Sequence, residues 1–212
     1  MKKLFWDDPY ALRNETVFES VTGRDVTLRE SIFYAFSGGQ ESDEGSINGI
    51  PVVRAEKSDR TIIYTLAEDH PYRPGDPAVV VIDGERRGRL IRLHFAAEIV
   101  LWIFMQTFPG VEKIGAHISP ARARLDFRLP ESIKPVLPGI QAEAEDLIRR
   151  DVPITSAFSD EENERRYWEV PGFGSLPCGG THPRSTGEIG PISLARNNIG
   201  KGKERVEISL VE

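Results

Sequence analysis

Two pairs of potential metal ligands share a spacing of four residues. His94 and Glu98 lie in the apolar stretch LHFAAEIVL, and Cys178 and His182 lie in PCGGTHP. Imidazole, carboxylate and thiolate groups all bind zinc, and four such ligands complete a tetrahedral site. The sequence therefore predicts a metal site that holds one Zn²⁺ ion through His94, Glu98, Cys178 and His182.

The first pair also has a purely structural interpretation. Residues 90–106 contain neither Gly nor Pro and are apolar on almost every side, which predicts a buried helix with His94 and Glu98 on one face. A buried carboxylate needs a compensating partner. An arginine such as Arg122 or Arg124 would serve as well as a metal ion, and His94 would then be an ordinary core histidine.

The second pair contains the single cysteine of the chain. One cysteine cannot form an internal disulfide, so Cys178 is an inert buried thiol, a reactive thiol or a metal ligand. Two glycines follow it and let the backbone curl, so that its sulfur and the His182 imidazole can converge. The presence of both pairs favours the metal ligand.

Composition places the chain among ordinary globular proteins. Its 212 residues are 39% hydrophobic and 28% charged, which excludes disordered and collagen-like chains. The start, MKKLFWDDPY, lacks the apolar core of a signal peptide, and the apolar run at residues 99–105 is far shorter than the roughly 20 residues of a membrane helix. We expect a cytoplasmic protein without a membrane partner.

The elements that must position these residues fall into two domains of an α+β protein. Turn signals separate short strand-like segments in the first domain, residues 1–85, which predicts a small β-barrel. These segments are residues 15–21, 25–29, 31–36, 51–56, 61–66 and 78–82. The second domain, residues 86–212, begins with the buried helix.

The second domain mixes strands and helices. Strands are predicted near residues 111–119, 123–129, 152–158, 190–196 and 204–211, with a helix over 139–150 and a polar helix or loop over 159–168. Charge differs between the domains, since residues 1–85 carry 9 basic and 16 acidic side chains whereas residues 86–212 carry 18 and 17. A polyanion would therefore bind the second domain.

Four stretches resemble one known family in the family's own order. FYAFSGGQESDEGSING at 33–49, DGERRGRLIRLHFAAEIVL at 83–101, ARARLDF at 121–127 and the segment from Cys178 to residue 210 resemble the editing region of alanyl-tRNA synthetases and its freestanding AlaX relatives. The resemblance implies an N-terminal barrel and an editing domain of the threonyl/alanyl-tRNA synthetase second additional domain type. It also implies zinc-dependent hydrolysis of mischarged tRNA(Ala), most of all seryl-tRNA(Ala).

One ligand position departs from the family pattern. The family's motifs, His-x-x-x-His and Cys-x-x-x-His, fall on His94 with Glu98 and on Cys178 with His182. Glutamate binds zinc at about the same distance as histidine, so we expect Glu98 to ligate the ion. Alternatively, Glu98 acts as a base on water at the vacated position, or the metal has been lost.

The resemblance places Ser37, Gly38, Gly39 and Gln40 in the editing pocket. A Gly-Gly pair between strands is otherwise an ordinary turn, and the segment lacks the Lys-Ser/Thr ending of a phosphate-binding loop, so no ATP is expected. A site that hydrogen-bonds the serine hydroxyl rejects alanine, because its polar groups would be left unpaired. Ser37 and Gln40 are the candidates, and Gln40 is expected to act apart from the metal.

Seven basic residues are candidates for tRNA contacts because phosphates bind clustered positive side chains. They are Arg86, Arg87, Arg89, Arg92, Lys201, Lys203 and Arg205. A solvated charged face is the alternative for each of them. The chain is too short to add an aminoacylation domain, so we expect action in trans on aminoacyl-tRNA(Ala) charged by another enzyme.

Two other functions remain open at this point. One is a noncatalytic tRNA-binding module in which Glu98 has cost the activity, and the other is a zinc hydrolase of another aminoacyl-tRNA or ester. The sequence does not indicate the oligomeric state, the native metal or the preference between serine and glycine.

Overall fold

A computed structural model describes residues 1–200 and 202–211. Residue contacts divide it into two units, which are described separately. The first contains Met1–Ser37 and Glu41–Gly88, and the second contains Gly38–Gln40 and the residues from Arg89 onward. The α+β class is confirmed, with strands in the majority and two α-helices in the described residues.

Short strands make up most of the first unit. They are β1 (Lys2–Lys3), β2 (Arg13–Thr22), β3 (Asp25–Leu28), β4 (Glu30–Ser31), β5 (Gly45–Ile47), β6 (Ile50–Ser58), β7 (Thr61–Leu66) and β8 (Pro77–Ile82). Six of them pair in the closed order β2-β3-β7-β6-β5-β8, which forms a small barrel, while β1 and β4 form a parallel pair. Alternate residues fill the interior, as with Ala78, Val80 and Ile82 of β8.

The strand predicted at residues 31–36 is wrong beyond Ser31. Residues 32–35 are buried, but the amide groups of residues 32–34 bond to side chains instead of to a neighbouring strand. The Phe33 amide donates to Ser31 Oγ at 3.0 Å, and the Tyr34 amide donates to Asp43 Oδ2 at 2.7 Å. The segment is therefore a buried, side-chain-braced connection.

Two helices and seven strands make up the rest of the described chain. They are α1 (Gly84–Thr107), β9 (Glu112–Ile118), β10 (Ala123–Arg128), α2 (Leu137–Arg150), β11 (Thr155–Asp160), β12 (Arg165–Val170), β13 (Gly174–Pro177), β14 (Ile192–Asn198) and β15 (Lys203–Leu210). One antiparallel sheet has the order β14-β15-β10-β9, and a second has the order β11-β12-β13. Short 3-10 helices cover Leu4–Trp6 and Thr186–Ile189.

Helix α1 is buried as predicted and begins earlier than expected. It is long and apolar enough to span a membrane, unlike the shorter run considered from the sequence, but its apolar stretch is 67% buried within the protein, as in a core helix. Its residues form one hydrophobic core with Leu125 and Phe127 of β10 and with Val206 and Ile208 of β15. One face of the four-stranded sheet is therefore covered.

The polar helix considered for residues 159–168 is absent. The chain instead turns between β11 and β12, which pair antiparallel. Arg166, Trp168 and Val170 are buried while their neighbours are not. This period of two is typical of a strand, and it is masked in the sequence by the charges around it.

Residues 38–40 join the second unit, although the sequence placed the SGGQ segment in the first domain. The Ile118 amide of β9 donates to the Gly39 carbonyl at 2.7 Å, and Gln40 forms an isolated bridge with Ile118. Gly38 and Gly39 have φ values of +61° and +92°, and a Cβ at Gly39 would lie 2.7 Å from the Ala116 carbonyl oxygen. The glycine pair thus lets Gln40 reach the second unit.

Candidate metal centre

Three of the four predicted ligands converge. Cys178 Sγ lies 3.2 Å from His94 Nε2 and 3.2 Å from His182 Nε2. The ligand atoms of the three residues all lie within 4.8 Å of one another, close enough to share one ion. Both histidines are about 95% buried, and Cys178 is partly buried.

Different elements supply the ligands. His94 lies on α1, while Cys178 and His182 lie on the loop that follows β13. The Cys178 amide donates to the Arg166 carbonyl at 2.9 Å, which fixes the start of that loop. A Cβ at Gly180 would overlap the His94 ring, so glycine lets the loop lie directly against the imidazole.

A hydrogen bond orients each imidazole. His94 Nδ1 bonds to Gln40 Oε1, and His182 Nδ1 lies 2.8 Å from Ser156 Oγ. Gln40 is itself held, because its Nε2 donates to Thr181 Oγ1 at 2.9 Å. Metal-binding histidines usually have such a partner on the second nitrogen, which leaves the first free to ligate. Both Nε2 atoms here face the sulfur.

Glu98 is close to this group without belonging to it. Its Oε2 accepts a hydrogen bond from Trp168 Nε1 at 2.7 Å, and its Oε1 lies 3.7 Å from His94 Nε2. It is absent from the set of mutually close ligand atoms. Trp168 therefore compensates the carboxylate in the way that an arginine was expected to do.

The arginines proposed as partners of Glu98 bind other acids. Arg122 pairs with Glu207 at 3.3 Å, and Arg124 pairs with Asp126 at 2.6 Å. The purely structural interpretation of the helix pair is therefore wrong in its choice of partner.

The neighbouring charges of this cluster shift the pKa values of Cys178, His94 and Glu98. Burial alone would raise the pKa of Cys178, but the charges of His94 and His182 outweigh it and lower that pKa to about 6. Burial alone would lower the pKa of His94, but Cys178 and Glu98 raise it to about 10. Glu98 also has a lowered pKa, since its interaction with the nearby His94 imidazole and the hydrogen bond from Trp168 outweigh its burial. The site favours a thiolate beside a protonated imidazole.

The donor set fits a zinc ion. A thiolate and two oriented imidazoles are three of the ligands that zinc prefers, and catalytic zinc sites commonly have three protein ligands with one position left open. The low pKa of Cys178 supplies the deprotonated sulfur that a metal requires.

The SGGQ segment, predicted to lie in the editing pocket, contacts His94 through Gln40. Gln40 is completely buried, and its side-chain amide forms hydrogen bonds with His94 and Thr181. It therefore holds the His94 imidazole in place. Ser37 is half-buried, and its carbonyl accepts a hydrogen bond from Tyr34 Oη at 3.2 Å.

The predicted tRNA-binding arginines of α1 bind other groups of the protein. Arg87, predicted to contact tRNA, is 1% exposed and forms a buried ion pair with Asp43. Arg86 pairs with Glu41 at 2.8 Å. Arg89 donates to the Pro120 carbonyl, and Arg92 donates to the Ile189 carbonyl. Their guanidinium groups brace the helix.

The basic residues near the end of the chain have other surroundings. Lys201 lies outside the described residues. Lys203 is exposed at the start of β15, and Arg205 binds Asp126 through Nε at 2.6 Å and Nη2 at 2.9 Å.

Sequence reasoning missed three residues at the site. Ser156, Trp168 and Thr181 hold His182, Glu98 and Gln40, respectively. Only Thr181 carried a signal, since it lies within the CGGTH motif. Ser156 and Trp168 lie on neighbouring strands whose register brings them opposite each other.

Comparison with known proteins shows what the chain is similar to. Residues 169–207 match the model described as the threonyl and alanyl tRNA synthetase second additional domain. The chain is 27% identical over 221 residues to the alanyl-tRNA editing protein AlaX-M of Pyrococcus horikoshii, covering 99% of this chain and 97% of that protein. The resemblance to the alanyl-tRNA synthetase editing family is confirmed.

Two further relatives match to different extents. AlaX-M of Saccharolobus solfataricus is 28% identical over 233 residues, covering 97% of each chain. The alanine–tRNA ligase of Methanopyrus kandleri is 32% identical over 211 residues, which is 88% of this chain and 23% of the ligase. The chain thus spans nearly all of the AlaX-M relatives and about a quarter of the ligase.

Proposed function

We propose that this chain is a metal-dependent deacylase that hydrolyses mischarged tRNA(Ala), with seryl-tRNA(Ala) as its main substrate. The convergence of His94, Cys178 and His182 carries the proposal. It is supported by the similarity to AlaX-M along nearly the whole of both chains. The reaction is in trans, needs no ATP and takes place in the cytoplasm, where charged tRNA is used.

Three side chains hold one zinc ion in this proposal. His94 and His182 ligate through Nε2, and Cys178 ligates through its thiolate. A bound zinc ion supplies positive charge that polarises the ester carbonyl and stabilises charge developing on its oxygen. Gln40 and Ser156 keep the two rings turned so that Nε2 faces the ion. Loss of either partner would loosen the ring that it holds.

Glu98 has a positioning role in this arrangement. Its bond to Trp168 Nε1 keeps the carboxylate at the edge of the ligand group, with Oε1 facing His94 Nε2. An ion held by His94, Cys178 and His182 would then have room for substrate or water. In this proposal Glu98, expected from the sequence to be the fourth ligand, is a positioning residue instead.

Selection of serine requires a polar group close to the substrate side chain. Ser37 remains the candidate from the SGGQ segment, because Gln40 is buried and engaged with His94 and Thr181. We expect Ser37→Ala to reduce the preference for serine over alanine while leaving the metal content unchanged.

The proposal is tested with one purified sample on three substrates. Release of amino acid from seryl-, glycyl- and alanyl-tRNA(Ala) is measured before and after chelation, with the metal content determined in parallel. We expect serine to be released fastest, and we expect the activity to disappear with the metal and return on addition of zinc.

Two results would overturn the proposal. A folded, metal-loaded sample that binds tRNA(Ala) and releases nothing would be a noncatalytic module. A sample that hydrolyses other aminoacyl-tRNAs and leaves all three substrates intact would be a hydrolase of different specificity.

A further inference from the structure

The four-stranded sheet has a second face opposite its core. Alternation along β10 places Leu125 and Phe127 toward α1, and Arg124 and Asp126 on the other side. The register of the two strands places Arg205 of β15 opposite Asp126 of β10. The outer surface of this sheet is therefore built from charged side chains.

Basic side chains outnumber acidic ones on this outer face. The residues of the face, placed by register and ion pairing, are the basic Arg122, Arg124, Arg128, Lys203 and Arg205 and the acidic Glu112, Asp126 and Glu207. The whole chain, by contrast, carries a net charge of -6. A net positive surface on an acidic protein attracts a polyanion to one place.

The arginines of the face are held in fixed positions. Asp126 accepts hydrogen bonds from Nε and Nη2 of Arg205 and from Nη1 of Arg124. Each guanidinium has five N–H groups, so further donors remain on both side chains. Because the carboxylate fixes their planes, less side-chain entropy is lost when a phosphate binds them.

The outer rim of the face is open to solvent. The side chains of Arg122 and Arg128 are 60% and 62% exposed. Lys203 is also exposed, at the start of β15 and opposite Arg128. These groups can contact phosphates without any rearrangement of the fold.

The sheet edge connects this face with the metal centre. β9 is an edge strand, and its Ile118 binds Gly39 and forms a bridge with Gln40, the residue that orients His94. RNA lying across the sheet toward β9 would approach the ligand group along this edge. The α1 arginines are less available, because Arg87 is buried and Arg86, Arg89 and Arg92 bind Glu41 or backbone carbonyls.

We infer that the outer face of the β14-β15-β10-β9 sheet binds the phosphate backbone of the tRNA whose ester is hydrolysed at the metal centre, an inference that rests on the proposed function. Recognition is by charge and backbone shape, as is common for double-stranded RNA. The side chains that make the contact are Arg122, Arg124, Arg128, Lys203 and Arg205.

Two matched arginine pairs test the inference. Arg122→Gln/Arg128→Gln, the face variant, removes two exposed, ion-paired arginines from the face. Arg149→Gln/Arg150→Gln, the α2 variant, removes from α2 two exposed arginines that pair with Asp146. Both variants should fold, since exposed ion pairs contribute little to stability. Binding of a tRNA(Ala) transcript is measured across salt concentrations.

We expect the face variant to bind tRNA(Ala) at least about 5-fold more weakly and to lower the salt-dependence slope by about 1 to 2, since each phosphate contact contributes close to 1. The α2 variant should bind as the unaltered protein does. A third variant, Glu112→Gln/Glu207→Gln, should bind more tightly because it removes negative charge from the same face. Equal effects from the two arginine pairs, or no effect from either, overturn the inference.

Hydrolysis separates this inference from the proposed function. The face variant should raise KM for seryl-tRNA(Ala) while kcat and metal content stay unchanged. Unaltered protein that binds tRNA(Ala) through the face and releases no amino acid refutes the function and leaves the inference standing. Protein that releases serine, with the face variant unchanged in binding and KM, refutes the inference alone.

Discussion

The two pairs of residues spaced by four behave differently in the structure. On α1 the helix fixes both side chains on one face, yet only His94 reaches the ligand group while Glu98 bonds to Trp168. On the loop after β13 both Cys178 and His182 reach it. A helical spacing of four makes two side chains neighbours, whereas a glycine-containing loop can curl them onto one point.

The largest difference is expected from removing the sulfur of the loop pair. Cys178→Ala deletes the only thiolate. Loss of a group that supports a ligand typically lowers metal affinity about 10- to 100-fold, and loss of this sulfur should lower it further. Deacylation should fall with it. Metal content after gel filtration and the rate of serine release are the measurements. A variant that keeps its zinc and its rate would show that the loop pair is not the anchor.

The next largest difference concerns the acidity of the loop cysteine in metal-free protein. We expect Cys178 to titrate with a pKa of about 6, against its ordinary 9.0, because His94 and His182 stabilise the thiolate. Ultraviolet absorbance of the thiolate against pH measures this. The unfolded chain should titrate near the ordinary value.

This titration has a consequence for stability. The folded pKa of Cys178 lies below the unfolded one, so the thiolate contributes its full stabilisation above about pH 9 and loses it as the pH falls to about 6. In His94→Gln the midpoint of the Cys178 thiol titration should move to higher pH, because the charge that stabilises the thiolate is removed. An unchanged midpoint would show that the helix histidine does not influence the loop thiol.

A smaller difference is expected between the supports of the two histidines. Gln40→Ala removes a buried partner of the helix histidine that water cannot replace, and zinc affinity should fall by about 10- to 100-fold. Ser156 is exposed, so water can substitute for its hydroxyl, and Ser156→Ala should lower the affinity only about 2- to 3-fold. Competition with a chromogenic chelator measures both. Equal losses would contradict the importance of burial.

The smallest effect is expected from the member of the helix pair that does not ligate. Glu98→Gln keeps an acceptor for Trp168 Nε1, so zinc affinity should change by less than about 3-fold, far below the loss expected for a supporting group. Glu98→His places the histidine of the His-x-x-x-His pattern at this position. Its zinc affinity is compared with that of Glu98→Gln. A large loss of zinc in Glu98→Gln would restore Glu98 as the fourth ligand.

Residue types and spacing were sufficient to find the three side chains that converge, but not their surroundings. His94, Cys178 and His182 were recognisable because histidine and cysteine have few other uses at such spacing. Gln40, by contrast, is separated from His94 by 54 positions, and its role depends on a contact that no local pattern contains.

The same limit applies to the fold. β7 has the predicted bounds, 61–66, because its alternation is regular. The strand predicted at 31–36 fails because the side chains of Ser31 and Asp43 take its amide groups. Arg87 looked like part of a basic surface, but Asp43, its partner, is 44 positions away. Charge in the sequence does not distinguish a buried ion pair from an exposed one.

The insertion of residues 38–40 into the second unit bears on how the protein folds. Gln40 is 141 positions from Thr181, and closing so long a loop costs chain entropy before any contact repays it. Folds with many distant contacts form slowly. We expect the orientation of His94 to be among the last features established, so that the rate of zinc uptake during refolding follows the meeting of residues 38–40 with residues 178–182.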